Sequence, residues 1–157
     1  RDIIYVRPRT QLSIFDENGL LQEDVVAKMC LITKSILIDE GQEDSMVNLK
    51  ITDIDEITYL NKTYRAKNKS TNVLSFVNDD ISKDITNNLG DIAICYEYVD
   101  KEAKDEGKNL DDHLIHMLVH GLYHILGYDH ENNDSASLME AKEINKLKEL
   151  NIKNPYL

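Results

Sequence analysis

Three histidines within eleven residues are the part of the chain best suited to chemistry. His120, His124 and His130 follow the spacing H-x3-H-x5-H, with Gly127 between the second and the third. Residues four apart on a helix lie one turn apart on the same face, so the first two imidazoles leave a helix together. A glycine at the end of a helix favours a turn back, which returns His130 towards the same point. Three converging imidazoles predict a divalent metal site with an open coordination position, as in catalytic zinc sites.

All the histidines of the chain fall within eighteen residues, so helix geometry must decide which three of them can bind one ion. They are His113, His116, His120, His124 and His130. Two helical turns span about 11 Å, so His116 and His124 cannot bind one ion together. We expect His120, His124 and His130 to be the ligands, since a turn at Gly127 would bring His130 back towards the other two. We then expect His116 to contact a ligating histidine or pack beside it, and His113 to be exposed near the helix start.

The position of a possible general base separates this pattern from ordinary zinc peptidases. Their motif, H-E-x-x-H, has a glutamate after the first histidine, where this chain has Gly121. A metal held by three nitrogens can still lower the pKa of water to about 7, and its uncompensated charge favours an anion or a phosphoryl oxygen. Asp91, Asp129 and Glu131 are candidates for a base or for a carboxylate that orients a histidine. Each of them could equally be a helix cap or a surface group.

The elements that must position these residues follow from the hydrophobic periodicity. The pattern predicts strands at 3–6, 46–52, 73–77 and 92–95, with a loop over 7–19. It predicts helices at 20–39, 53–64, 96–106, 112–126 and 135–150, and Asp53 followed by Glu56 resembles a capping box at the start of the second. No internal repeat or low-complexity linker interrupts them. This order indicates a single α+β domain over residues 1–157, in which a small mixed sheet of about four strands is covered by about five helices.

Composition restricts the function further. The 157 residues are 41% hydrophobic and 30% charged, which is ordinary for a globular protein. No apolar run approaches the ~20 residues needed to cross a bilayer, so a membrane partner is not expected. Cys30 and Cys95 are far apart in sequence and are interpreted as buried thiols in a reducing compartment. The cytoplasm is therefore the expected location.

The otherwise acidic chain contains two basic clusters, of which one is formed by Arg1, Arg7 and Arg9. A net charge of −11 argues against general affinity for nucleic acids, because phosphate binding needs a basic surface. Residues 61–70, however, carry four cations and no acid: Lys62, Arg65, Lys67 and Lys69. On composition alone, this segment is expected to be a solvated loop.

Three stretches together resemble one known family, the YbeY endoribonucleases. The signature H-G-x-x-H-x-x-G-Y-D-H is present in full at 120–130. A second stretch runs from Leu60-Asn61 through Tyr64-Arg65 into Thr71-Asn72-Val73-Leu74-Ser75-Phe76, and a third is Leu89-Gly90-Asp91-Ile92. Ser70 and Val77 stand where the family usually has proline, which changes loop stiffness and leaves the histidines intact.

The resemblance implies a specific activity and site. It implies one zinc ion per chain held by His120, His124 and His130, and an essential arginine at Arg65 in a cleft facing the metal. It also implies cleavage of single-stranded RNA, including 16S ribosomal RNA 3′-end maturation and late ribosome quality control, with the ribosome or small-subunit proteins as partners. The family fold is a small mixed sheet with helices around it, in agreement with the periodicity.

The resemblance also changes the interpretation of segment 61–70. Beside a metal, the guanidinium of Arg65 can clamp a phosphate and offset charge that develops on it. Lys62, Lys67 and Lys69 would then guide the RNA backbone. Two other functions are kept as alternatives: a non-catalytic ribosome assembly factor stabilised by its metal, and a metallopeptidase, against which Gly121 counts. Whether water or the ribose 2′-hydroxyl attacks the phosphate stays open.

Overall fold

The fold is a mixed β-sheet with helices on both faces. The computed structural model describes the backbone of residues 4–5 and all of residues 11–79 and 87–157. The strands in these ranges are β1 Ile4–Tyr5, β2 Leu12–Phe15, β3 Met46–Thr52, β4 Val73–Val77 and β5 Asn88–Cys95. The helices in these ranges are α1 Glu23–Asp39, α2 Ile54–Arg65, α3 Tyr96–Glu106, α4 Leu110–Ile125 and α5 Asn133–Glu149.

The strands lie in the order β1-β2-β3-β5-β4, which leaves β4 at one edge of the sheet. The pairs β2–β3 and β3–β5 are parallel, whereas β1–β2 and β4–β5 are antiparallel. The predicted α+β class with a small mixed sheet is therefore confirmed. That residues 1–157 form one domain stays a prediction.

One strand lies where the sequence predicted a loop. The loop expected over 7–19 contains β2, whose residues pair in parallel with β3 from Leu12↔Val47 to Phe15↔Lys50. The prediction was wrong because β2 is only four residues long and its pairing partner lies more than thirty residues away. Of the strand predicted at 3–6, residues 3 and 6 lie outside the described residues. The strand predicted at 92–95 begins earlier, at Asn88.

The two faces of the sheet carry different helices. Leu49, Ile92 and Ile94 belong to the main core, which α1 and α4 cover with residues such as Met29 and Leu118. The other face is covered in part by α2, where Ile57 packs with Leu74, Ala93 and Cys95. Helix α2 begins as predicted at a cap, since the Asp53 carboxylate accepts the backbone N–H of Glu56 at 2.7 Å. Cys30 and Cys95 are both buried, as expected.

A glycine sets the distance between α4 and the sheet. A Cβ at position 121 would lie 2.9 Å from Ser75 Oγ and 3.1 Å from the Ile92 side chain. Because Gly121 has no Cβ, α4 lies directly on β4 and β5, and the Ser75 hydroxyl donates to the Gly121 carbonyl at 3.2 Å. The histidine face of α4 is thereby held beside the edge strand. A glutamate at this position, as in zinc peptidases, would push the helix off the sheet.

Among the residues that the structure describes, no helix combines the length and the apolar character that a bilayer crossing requires.

Candidate metal centre

The structure brings His120, His124 and His130 together. The first two come from α4, and the third comes from the loop that follows Gly127, whose φ of +101° makes the turn. One ring nitrogen from each lies within 4.8 Å of the others, and the Nε2 atoms of His120 and His124 are 3.1 Å apart. This is the set that the spacing predicted, and its role as a ligand set stays a prediction.

The donor set fits a divalent metal. Zn–N bonds of about 2.0–2.1 Å in a tetrahedron put two ligand nitrogens about 3.3 Å apart, close to the separation between the His120 and His124 nitrogens. Burial lowers the pKa of His124, and the nearby His120 and His130 lower it further. His124 is therefore neutral at physiological pH, which is the form that binds a metal.

A buried carboxylate fixes His120 through the ring nitrogen that does not face the other histidines. Glu143 of α5 is fully buried, and its Oε2 accepts from His120 Nδ1 at 3.0 Å. Its Oε1 accepts from His116 Nε2 and from the Tyr156 hydroxyl, both at 2.7 Å. Because Nδ1 of His120 donates to Glu143, the lone pair of Nε2 faces the site. Burial raises the pKa of Glu143, but the hydrogen bonds from His116, His120 and Tyr156 outweigh it and lower that pKa to about 2.

Glu143 was missed by the sequence reasoning, although the sequence carries a signal for it. Position 143 lies four residues after Met139 and four before Leu147, on the buried face of α5. A carboxylate on the apolar face of an amphipathic helix needs a hydrogen-bonding partner. The cluster of histidines was the available partner.

The two remaining histidines are both buried. His116 is 6% exposed and lies beside His120, with ring centroids 6.4 Å apart, so it contacts the ligand set through Glu143. This agrees with the position expected for it, and its role stays a prediction. The expectation that His113 is exposed was wrong. His113 is 5% exposed, and its Nε2 lies 3.0 Å from a Glu102 carboxylate oxygen.

The loop that carries His130 is fixed at two points. The Asp129 carboxylate accepts the backbone N–H of Glu131 at 3.2 Å, which shapes the turn on either side of the histidine. The hydroxyl of Tyr128 donates to Glu40 at 2.8 Å, which ties the loop to the residue that follows α1. Asp129 thus lies next to the candidate ligand and shapes the loop that carries it.

Asp91 lies away from the histidines. Its neighbours Gly90 and Ile92 face α4, so strand alternation directs the Asp91 side chain to the opposite face of the sheet. There its carboxylate accepts from Asn48 Nδ2 at 3.0 Å. The structure therefore gives no support to the role beside the metal that was predicted for Asp91.

Arg65 shares a cleft with the three histidines. The cleft has a volume of about 590 Å³, and Ser75, Val77 and Tyr156 also line it. The Arg65 guanidinium donates to the Ser75 carbonyl and lies over the Phe76 ring, with Cζ 4.8 Å from the ring centroid. These contacts hold the cation at the edge strand β4, on one side of the cleft that the histidines also line.

The basic segment 61–70 is folded rather than loosely solvated. The buried Asn61 side chain donates to the Lys69 carbonyl at 2.9 Å, and the Asn61 carbonyl accepts the N–H of Lys67. Lys62, Lys67 and Lys69 are exposed, and within the described ranges none of them forms an ion pair or lines the cleft. Their contact with RNA stays a prediction.

Comparison with known proteins identifies the family. The family model described as Endoribonuclease YbeY matches residues 16–151. The chain belongs to the endoribonuclease YbeY family. A protein of that name from Alteromonas mediterranea is 43% identical over 130 residues, which cover 83% of this chain and 82% of the relative. Another, from Francisella tularensis subsp. novicida, is 40% identical over 150 residues, with coverage of 90% and 88%.

A solved structure supports the fold of this YbeY family member. The solution structure of a Thermotoga maritima protein aligns with a TM-score of 0.64 and 25% identity, and the alignment covers 88% of each chain. The family model and the two relatives confirm the family resemblance seen in the three sequence stretches, and the solved structure supports the fold it implied.

The geometry of this YbeY family cleft suits a phosphodiester. Three imidazoles suited to a cation and a guanidinium line the same cleft, and a guanidinium is a group that binds phosphate oxygens. The cleft therefore carries groups that favour an anionic ligand.

Proposed function

We propose that this YbeY family protein is a zinc-dependent endoribonuclease that cleaves single-stranded RNA in the cleft between its histidine cluster and Arg65. One observation carries the proposal. His120, with its tautomer fixed by the buried Glu143, converges with His124 and His130 in the same cleft that Arg65 lines. Membership of the family supports the reaction, since the relatives are named endoribonucleases.

Arg65 has the task of holding the scissile phosphate. Its planar guanidinium can donate two parallel hydrogen bonds to phosphate oxygens and offset the negative charge that grows on them during cleavage. The contacts with Phe76 and the Ser75 carbonyl fix the plane of the group before the substrate arrives. When bound, a zinc ion supplies Lewis-acid polarisation of an oxygen ligand and lowers the pKa of water. Glu143 keeps His120 oriented for that ion throughout.

The size of the cleft supports a preference for unpaired RNA. A volume of about 590 Å³ matches that of pockets for ligands of nucleotide size. A strand that places its backbone between the histidines and Arg65 must leave its complementary strand. The acidic remainder of the surface repels nonspecific nucleic acid, so binding depends on this local geometry.

We extend the proposal to the cell on the strength of the family motifs. The protein acts in the cytoplasm on ribosomal RNA, in 16S 3′-end maturation and late ribosome quality control, together with the small subunit or its proteins. Cells that carry His124→Ala in place of the wild-type protein should accumulate 16S precursors with extended 3′ ends. Normal 3′ ends in such cells would contradict the ribosomal role.

The chemical proposal is tested with purified protein and a fluorescent single-stranded RNA. We expect zinc-loaded protein to cleave it, and we expect chelator treatment, His124→Ala and Arg65→Ala each to abolish cleavage while circular dichroism shows a folded chain. Lys101→Ala is a matched control for a lost surface cation, since Lys101 is exposed on α3. Full activity of folded His124→Ala would refute the metalloenzyme, whereas no cleavage by zinc-loaded wild-type protein would favour the assembly factor.

The products identify the attacking group. A 2′,3′-cyclic phosphate would show attack by the ribose 2′-hydroxyl and exclude direct attack by water. A peptide library incubated with the same preparation tests the metallopeptidase alternative. We expect no chelator-sensitive turnover, because the close contact of Gly121 with the sheet leaves no room for the glutamate base of that class.

A further inference from the structure

A second hollow lies across the edge strand from the histidine cleft. It has a volume of about 690 Å³ and lies between α2 and the sheet. Phe76, Asp91 and Asn48 form its floor, since they stand side by side in register on β4, β5 and β3. Leu60 and Tyr64 of α2 form its wall. Asp91 thus belongs to this hollow, which the proposed catalytic chemistry does not use.

The polar floor of the hollow favours a neutral ligand with N–H donors. One oxygen of the exposed Asp91 carboxylate accepts from Asn48, and among the described residues its second oxygen has no hydrogen-bond donor. Lys50 at the rim is engaged by Glu56 at 2.6 Å. A carboxylate with spare acceptor capacity repels phosphate and attracts amide or amino groups.

The wall offers an aromatic surface to a planar ligand. The Tyr64 ring is 60% exposed and meets the half-buried Phe76 edge-on, with centroids 5.4 Å apart. Exposed aromatic rings of this kind are the surfaces on which proteins stack the bases of single-stranded nucleic acids. The ligand that matches both wall and floor is therefore flat and carries N–H donors on one edge.

Arg65 connects the hollow to the histidine cleft. Its guanidinium lies on the Phe76 ring, which belongs to the floor of the hollow, while the same side chain lines the cleft. Val77 of the edge strand lines both. Only one β-strand therefore separates the two sites. A phosphate held by Arg65 would therefore lie at the border between the cleft and the hollow that Tyr64 and Asp91 line.

We propose that this hollow binds a nucleobase of the RNA substrate next to the phosphate held by Arg65, and that it prefers guanine. The base stacks on Tyr64 and donates its N1–H and amino N–H to Asp91. Guanine presents these two donors side by side, whereas uracil would turn a carbonyl oxygen towards the carboxylate. The inference rests on the proposed function, which it deepens by naming the base recognised near the cut.

The test uses metal-free protein and two fluorescein-labelled RNA nonamers, one all uridine and one with a single central guanosine. Fluorescence anisotropy should show about tenfold tighter binding of the guanosine RNA, the scale expected for one paired base edge. Tyr64→Ala should weaken that binding about tenfold through lost stacking. Tyr59→Ala is the matched control, since Tyr59 is equally exposed on α2 but does not line the hollow; it should leave binding unchanged.

Asp91→Asn separates base recognition from stacking. This variant keeps the shape of an exposed side chain, so the protein should remain folded, as thermal melting checks. We expect the preference for guanosine to disappear while binding of the uridine RNA is retained. The inference would be overturned by equal binding of both RNAs to the wild-type protein, by an undiminished preference for guanosine in Asp91→Asn, or by undiminished binding in Tyr64→Ala.

Cleavage rates distinguish failure of the guanine site from failure of the proposed ribonuclease function. Zinc-loaded protein that cuts both nonamers at equal rates would refute the guanine site and leave the ribonuclease standing. Protein that neither binds nor cuts any single-stranded RNA would remove the proposed function and this inference with it. Faster cutting beside the guanosine, lost in Asp91→Asn, is the result we expect.

Discussion

Replacing Glu143 by glutamine removes the negative charge that is hydrogen-bonded to His120 and changes the shape of the side chain very little. The wild-type carboxylate is fully buried and accepts hydrogen bonds from His116, His120 and Tyr156. A glutamine offers one oxygen for these donors and turns an amide N–H₂ towards the others. The variant therefore weakens the orientation of His120 without leaving a cavity.

The size of the effect on folding follows from the pKa of Glu143. The hydrogen bonds lower this pKa from its ordinary value of 4.5 to about 2, and the difference corresponds to about 3 kcal/mol of stability at pH 7. Because the pKa is lower in the folded protein, this contribution is complete above pH 4.5 and is lost as the pH falls towards 2. For a chain of this length, about 3 kcal/mol lowers the melting temperature by about 6–12 °C.

The assay compares metal-free wild-type, Glu143→Gln and Glu140→Gln proteins by thermal melting at pH 7 and pH 3. Glu140 lies on the same helix outside the histidine contacts and serves as the control. We expect Glu143→Gln to melt lower than the others at pH 7 and to approach them at pH 3. In competition with a chelator at pH 7, its zinc affinity should fall by 10- to 100-fold. Unchanged melting and zinc affinity in Glu143→Gln would refute the orienting role.

Three further predictions follow from contacts described above. Gly121→Ala should destabilise the protein by about 1–3 kcal/mol in urea unfolding, because the new methyl group would meet Ser75 Oγ at 2.9 Å; an unchanged midpoint would contradict the close packing. Arg65→Lys keeps the charge but loses the planar fork, so kcat should fall about 100-fold on single-stranded RNA with unchanged melting. Wild-type kcat in this variant would show that any cation suffices. Tyr156→Phe removes one donor from Glu143 and should weaken zinc binding severalfold in chelator competition, whereas equal affinity would place the hydroxyl outside the metal centre.

The sequence alone predicted the parts of the site that follow from local geometry. The spacing of His120, His124 and His130 needs only a helix and a turn at Gly127, so their convergence could be predicted without knowledge of the fold. The cap at Asp53 is equally local. The short strand β2 was not predictable in this way, because four residues carry too little periodicity and its stability comes from pairing with the distant β3.

The partners of the histidines could not be located from the sequence for a related reason. Asp91 and Glu143 are both carboxylates next to apolar residues, and only tertiary packing decides which of them meets the imidazoles. The alternation of side chains along β5 could have excluded Asp91 as a partner of the histidines. Gly90 and Ile92 face α4, so Asp91 between them must point to the other face. Finding Glu143 required the docking of α5 beside α4, which no local pattern specifies.

The two groups that hold the histidine cluster in place, Glu143 and Tyr156, come later in the chain than the histidines themselves. In a partly folded chain, segment 120–130 can therefore be present before α5 has docked the carboxylate that fixes the tautomer of His120. A metal that meets the chain at that stage finds imidazoles free to rotate, and it binds more weakly and with less selectivity. If the proposed metal site is correct, firm loading is coupled to the docking of α5, and occupancy of the site would then report that the fold is complete.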